Sequence, residues 1–310
     1  MGRRLAVVGA VLACAGCSGS PSPSATPTPQ VIARIGTSTI TADAFQVRLQ
    51  SSLFAVSQGG GPTNNAAMLS QVRASVLRSL IIDTVIAQEA AATGVAATDA
   101  EIKAQVDADT SSAGGPRQLQ SRLAALGGST AQLNDEIRSA LNEQKLEDAF
   151  AKQRATEIEQ KLDSGTPFAA LASQYSDDTA TAANGGEIGA VTRVQLQADD
   201  PAYVSGVLAL VVGAHANPPI RDAQGYDIVE VQAANPTALT LRHIIVTAPQ
   251  PYTVKERPTW FSVAIFETLA TECTSGLVQV YINDVGPDPC AAATSPSPRA
   301  SAQPSASPTH

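Results

Sequence analysis

Few side chains in this 310-residue chain are equipped for chemistry. It has 3 His and 4 Cys; no His-x-x-x-His spacing occurs, and the single Cys-x-x-Cys, Cys14 to Cys17, stands at the N-terminal end far from any His, so no zinc cluster and no other metal site is expected. No glycine-rich phosphate loop follows a strand in the required context, and nothing suggests a nucleotide or organic cofactor. What remains is hydrogen-bonding and electrostatic chemistry by imidazole and carboxylate groups. His243 stands in Leu239-Thr240-Leu241-Arg242-His243-Ile244-Ile245-Val246, which reads as a strand. Ser176 and Asp178 begin a polar loop, and the pair Gly185-Gly186 allows a tight turn into a short strand. Taken singly these residues are ordinary. Asp most often caps a turn, and a lone strand histidine is more often structural than reactive. His215, in a Gly-Ala-His-Ala loop, is expected to be solvated.

The elements that must position these groups are mainly helical at first. With 44% apolar but only 4% aromatic residues, the chain has enough material for two modest domains with aliphatic cores. Val31 to Gly36 alternates like a short strand, and Thr41 is a good N-cap for a helix through Phe45 and Leu49. The loop SQGGGPTNN ends that helix. Leu77, Leu80, Ile81 and Val85 then form one apolar helix face closing near Gly94. Thr98-x-x-Glu101 is a capping box. A further helix from about Ala131 to Phe150 places Ile137, Leu141 and Leu146 inside and Glu and Lys outside, and helical pattern continues to Phe168. Phe168 to Gln174 is a short amphipathic helix. Ser262 to Thr271 reads as helix and Leu277 to Ile282 as strand, a segment that could brace the His243 strand.

The ends of the chain carry an address. Residues 1–17 have two arginines, a short apolar stretch from Leu5 to Ala13, and small residues, the layout of a secretory signal. Ala15-Gly16-Cys17 resembles the lipobox of bacterial lipoproteins, which implies lipidation of Cys17 and attachment to a membrane surface. Cys14 occupies the place where Leu is usual, and Val11-Leu12-Ala13-Cys14 is a second candidate. A plain secreted protein is the alternative. The Ser/Pro-rich tracts 18–30 and 291–310 lack the apolar residues to offset ordering entropy and are expected to be disordered. Net charge is −8, and −10 without the first 16 residues, which argues against nucleic-acid binding. The only sustained apolar run is too short for a polytopic membrane protein. Export makes a bridge between Cys273 and Cys290 plausible. It would close a loop of about seventeen residues and contribute about 3 kcal/mol; two free thiols are the alternative.

The order of the elements says more than their periods. VIARIGTSTITADAF, followed by a helix ending LIIDTVIAQEAAATGVAATDAEI, resembles the N-terminal chaperone module of SurA- and PrsA-type foldases over about 120 residues. The resemblance implies an apolar cradle for unfolded polypeptide at residues 31–154. FAALASQYSDDTATAANGGEIGAVTR, from Phe168, resembles the parvulin-type prolyl isomerase domain, as does Pro219 to Val229. An α+β chain is therefore expected: a helical module, then a parvulin-like domain at 155–248 with a small antiparallel sheet flanked by helices, then an appendage at 249–290. By that resemblance Leu196 and Tyr203 line a proline pocket, Ser176 contacts substrate, and Asp178 joins a polar cluster. The family completes the cluster with two histidines. One is replaced here, because the closing motif is Gly225-Tyr226-Asp227. The other belongs to a first strand that is absent before Phe168, whereas Leu239 to Val246 is a good copy of it. A circular permutation would return this strand beside Ile228–Val231 and bring His243 to the site. The start of a second, decayed domain is the alternative.

The resemblance implies isomerisation of X-Pro bonds in unfolded exported polypeptides. Amide rotation faces a barrier of about 18–20 kcal/mol, and uncatalysed X-Pro exchange takes tens of seconds or longer. Neither metal nor covalent intermediate is required, since positioning and electrostatics supply the rate. The expected protein is an extracytoplasmic, membrane-anchored foldase. The alternatives are a holdase whose degenerate domain only binds extended segments, and a surface scaffold for one partner.

Overall fold

The computed structural model describes residues 29–61, 65–248, 257–283 and 290. The signal, the lipobox with Cys14 and Cys17, most of the first Ser/Pro tract and the C-terminal tail lie outside the described residues. Among those described, no helix is long and apolar enough to cross a membrane.

Strands β1 (Val31–Ile35) and β2 (Ser38–Thr41) form a hairpin that leads into α1 (Ala42–Gln58). The Thr41 side chain accepts the Ala44 N–H, which fixes the start of α1. The long helix α2 (Ala66–Ala92) follows. The Thr98–Glu101 capping box opens α3 (Asp99–Ala113). After α4 (Pro116–Ala125), helix α5 (Thr130–Asp163) runs for 34 residues. At 1.5 Å per residue that is roughly 50 Å.

Position 154 falls inside helix α5, which continues the helical pattern and passes from one core to the other. Its first half gives Leu146 to a core with Phe45, Leu77, Ile81 and Val85. Its second half gives Ala151, Ala155 and Ile158 to another core. The polar face is corrected, since Glu143, Glu147 and Glu159 are buried. Burial, reinforced by the neighbouring Asp148 charge, pushes the Glu147 carboxyl up to about 7.

The second unit begins with α6 (Phe168–Tyr175) and α7 (Thr179–Ala182), then β3 (Glu187–Thr192), α8 (Arg193–Leu196), α9 (Pro201–Ala209) and β4 (Ile220–Arg221). Strands β5 (Gly225–Ala234) and β6 (Ala238–Thr247) complete it. The sheet is antiparallel with order β3-β6-β5-β4. The β5–β6 turn is held by the Asn235 side chain, whose Oδ1 accepts the N–H groups of Thr237 and Ala238. The late strand is thus internal to the sheet, with Val229 opposite His243 and Ile228 opposite Ile244. That arrangement overturns the alternative of a second domain starting at Leu239.

Residues beyond β6 also differ from expectation. Helix α10 (Thr259–Thr274) buries Phe261, Ile265 and Leu269 in the first core, and β7 (Val278–Val280) pairs with β1. The segment therefore closes the N-terminal unit, and its Trp260 also packs against the second core beside Ile244 and Val246 and donates to Asp177 Oδ2, which accepts the Thr247 N–H of β6. Its apolar period and β7's edge pairing could be met anywhere in the molecule; the open side of β1 decided the place. Cys273 and Cys290 form a disulfide, with Cα atoms 5.6 Å apart.

Candidate active site

Side chains alternate across a strand, so residues two apart share a face. On β6, Leu239, Leu241 and His243 share one face, while Ile244 and Val246 point to the other. On β5, Val229 and Val231 join the first set, and Asp227 shares their parity. The same alternation that buries the aliphatic residues therefore puts an imidazole and a carboxyl at one end of a face. A register slip of one residue would send both to the opposite core.

Asp178 reaches this point from α7, where its Oδ1 caps the helix by accepting the Ala180 N–H. Its Oδ2 lies 2.9 Å from His243 Nε2, and Asp227 Oδ2 lies 3.1 Å from His243 Nδ1. The turn-cap reading and the cluster reading of Asp178 are both met by one side chain. Thr181 was not anticipated: its hydroxyl donates to Asp178 Oδ2 at 2.6 Å and sits 3.2 Å from His243 Nε2. The signal for it was the Asp-x-x-Thr spacing, which on a helical turn puts two side chains together. Gly186 sets the backbone: with φ +84°, its carbonyl accepts the His243 N–H at 2.8 Å, and a Cβ there would overlap the His243 carbonyl oxygen.

Burial alone would lower the His243 pKa. Hydrogen bonds and charge from Asp227, then Asp178, outweigh it, and the imidazole is pushed up to about 9. That direction favours the imidazolium, whose two N–H groups face Asp227 Oδ2 and Asp178 Oδ2. Burial pushes the Asp227 carboxyl above its ordinary range against the pull of His243. Burial also works against ionisation of Asp178, but its bonds to Thr181 and His243 outweigh it and hold the group below its ordinary value.

The cluster forms part of the wall of a cavity of about 560 Å³, with Leu196, Tyr203 and Leu241 among its apolar lining. Apolar and polar groups share its lining about equally, and the polar ones converge on His243 at one end. Ser176 is not part of it. Its hydroxyl accepts the Ile245 N–H and lines a separate groove beside Trp260, because the loop turns over between Ser176 and Asp178. His215 is half-buried, not solvated, with Nε2 3.4 Å from Asp163 Oδ1. No group of His, Cys, Asp and Glu among the described residues could hold a metal ion.

Two families match the sequence, one for each unit. A SurA-like N-terminal domain matches residues 4–147, and a PPIC-type PPIASE domain matches residues 136–233. The second match stops short of β6. The chaperone SurA of Chromohalobacter salexigens is 39% identical over 85 residues, covering 27% of this chain and 19% of that protein. Foldase protein PrsA 2 of Listeria innocua is 37% identical over 78 residues, covering 25% of this chain and 26% of that protein. The chain thus matches about a fifth to a quarter of the length of these relatives. Among solved structures, the foldase protein PrsA of Streptococcus pneumoniae aligns at 14% identity over 81% of this chain and 94% of that one, with a TM-score of 0.29.

Proposed function

We infer that this chain, a SurA/PrsA-type foldase by its paired domains, binds unfolded polypeptides and catalyses cis–trans isomerisation of their X-Pro bonds at the cavity beside His243. The single observation carrying this reading is the Asp178–His243–Asp227 cluster on the wall of a hollow that also presents Leu196, Tyr203 and Leu241. Leu196, Leu241 and Tyr203 offer the apolar surface a proline ring needs. The planar amide is more dipolar than the twisted transition state, in which the nitrogen lone pair no longer delocalises onto oxygen. A dry cavity therefore disfavours the ground state relative to the transition state. Fixed charges beside the carbonyl add to that difference without reorganising during rotation. His243, locked between two carboxylates, keeps those charges in place, and Thr181 holds Asp178.

The route of β6 into the sheet supports a circularly permuted form of the parvulin-type domain, with the His243 strand supplied from the C-terminal side. The disulfide supports an oxidising, extracytoplasmic location, and the lipobox-like sequence around Cys17 supports a lipid anchor there. Asp227, standing where the family has its second histidine, favours a second reading in which the domain only holds extended chains. An isomerisation assay on a proline-containing peptide separates the two. The expected result is acceleration by the unaltered chain and loss of it in both Asp178→Ala and His243→Ala. Rates equal to buffer for the unaltered chain would leave the holding function alone.

A further inference from the structure

The lining of the cavity is acidic. Asp178, Asp199, Asp200, Asp222 and Asp227 line it, and His243 is the one cationic side chain among its lining residues. Asp178 and Asp227 share that single positive charge. Asp200 caps α9, and Asp222 accepts the N–H groups of Gln224 and Gly225 through Oδ1. These bonds orient the carboxylates but do not neutralise them, and neither they nor Asp199 has an ion-pair partner among the described residues.

A separate observation points the same way. Asp227 is only 3% exposed, and its second oxygen, Oδ1, is buried with no hydrogen-bond partner among the described residues. The cavity lining thus holds three carboxylates with no ion-pair partner among the described residues, and a buried acceptor oxygen of Asp227 without a hydrogen bond lies behind it. Low-dielectric walls concentrate the field of such charges within a cleft.

We propose that this acidic lining makes the site selective for X-Pro segments carrying Lys or Arg within a residue or two of the proline, and adverse to acidic ones. The proposal rests on the reading that this cavity receives the X-Pro segment. The proline ring occupies the surface of Leu196, Tyr203 and Leu241 while the flanking cation meets Asp199 and Asp222, which reach the same cavity from two separate loops.

The test uses the whole disulfide-bonded protein and three labelled peptides that differ only in Lys, Leu or Glu before the proline. Binding is read by anisotropy and isomerisation by NMR exchange, each at low and at raised salt. The Lys peptide is expected to bind about tenfold tighter than the Glu peptide at low salt, and the gap to shrink to about twofold as salt screens the lining. Asp199→Asn with Asp222→Asn, which keeps the Asp222 turn bonds, is expected to remove most of the difference. A Leu peptide bound as tightly as the Lys peptide, or a Lys preference indifferent to salt, overturns the proposal. The series on the unaltered chain decides this without the variant. Equal isomerisation of all three peptides sinks the selectivity and leaves the isomerase reading standing. Selective binding of the Lys peptide with no isomerisation does the reverse.

Discussion

The two faces of the β5–β6 ribbon come from the same pair of ten-residue strands and meet different surroundings. One face packs Ile228, Ile244 and Val246 against Phe168, Leu171 and Ala172, and it is closed by α5 and α6. The other starts the same way, with Val231, Leu239 and Leu241, then ends in Asp227 and His243 at an open hollow. Ile244 is completely buried, whereas the side chain of its neighbour His243 is 13% exposed. The closed face derives stability from packing. The open one holds three ionisable groups in a mutual arrangement that an aliphatic core would not need. Adjacent residues on one strand thus serve stability and chemistry separately, and substitutions can tell the two apart.

The largest effect is expected at His243. Removing it leaves Asp227 buried without a partner, and breaking such a pair costs about 3–5 kcal/mol. His243→Ala should therefore lose isomerisation and lower the unfolding midpoint together. Replacing His243 and Asp227 both by Leu should recover most of that stability and none of the activity. If activity returned with the double substitution, the distinction between the faces would fail.

Next comes Ile244→Ala on the closed face, expected to cost about 2–4 kcal/mol through the cavity it leaves. Denaturant unfolding should show this loss to be the same at neutral and alkaline pH. Smaller again is the pH dependence of the unaltered chain. The His243 pKa rises from 6.5 to about 9 on folding, so its contribution is fully present below 6.5 and is lost as pH rises through 9. A decline of about 2 kcal/mol over that window is expected, and the raised Asp227 carboxyl acts in the same sense, because it too binds its proton more tightly in the folded chain. His243→Ala should abolish the decline, while Ile244→Ala should retain it. The smallest effect belongs to Thr181→Val, about 1 kcal/mol for a hydrogen bond to a partly exposed carboxylate. It should also shift the pH profile of isomerisation, which a purely structural hydroxyl would leave unmoved.

Much of the candidate site was legible because it is written in local patterns. The Gly185-Gly186 turn, the alternation of Leu239 to Val246, and the positions of Asp178, Leu196 and Tyr203 were all readable from residue types in order. Ser176 was misplaced, since two residues of loop suffice to turn a side chain from one groove to another. Thr181 and the acidic lining were missed. Asp199 and Asp222 lie far apart in sequence, and Asp222 has an ordinary local role at a turn. The buried Glu143 and Glu147 were misread because a helical period assigns charge to the outside by default, and only the packing around α5 shows otherwise.

The sequence by itself determined the helices, their caps, the strand periods and the face on which His243 must lie once its strand is paired. Those features depend on backbone sterics and on residues a few positions apart. Tertiary structure alone decided that β6 also pairs with β3, that α10 and β7 return to close the first core, and that two carboxylates meet one imidazole in a cavity lined by three more. Such outcomes depend on which exposed edge or apolar face is left open by the rest of the chain, and no local pattern records that.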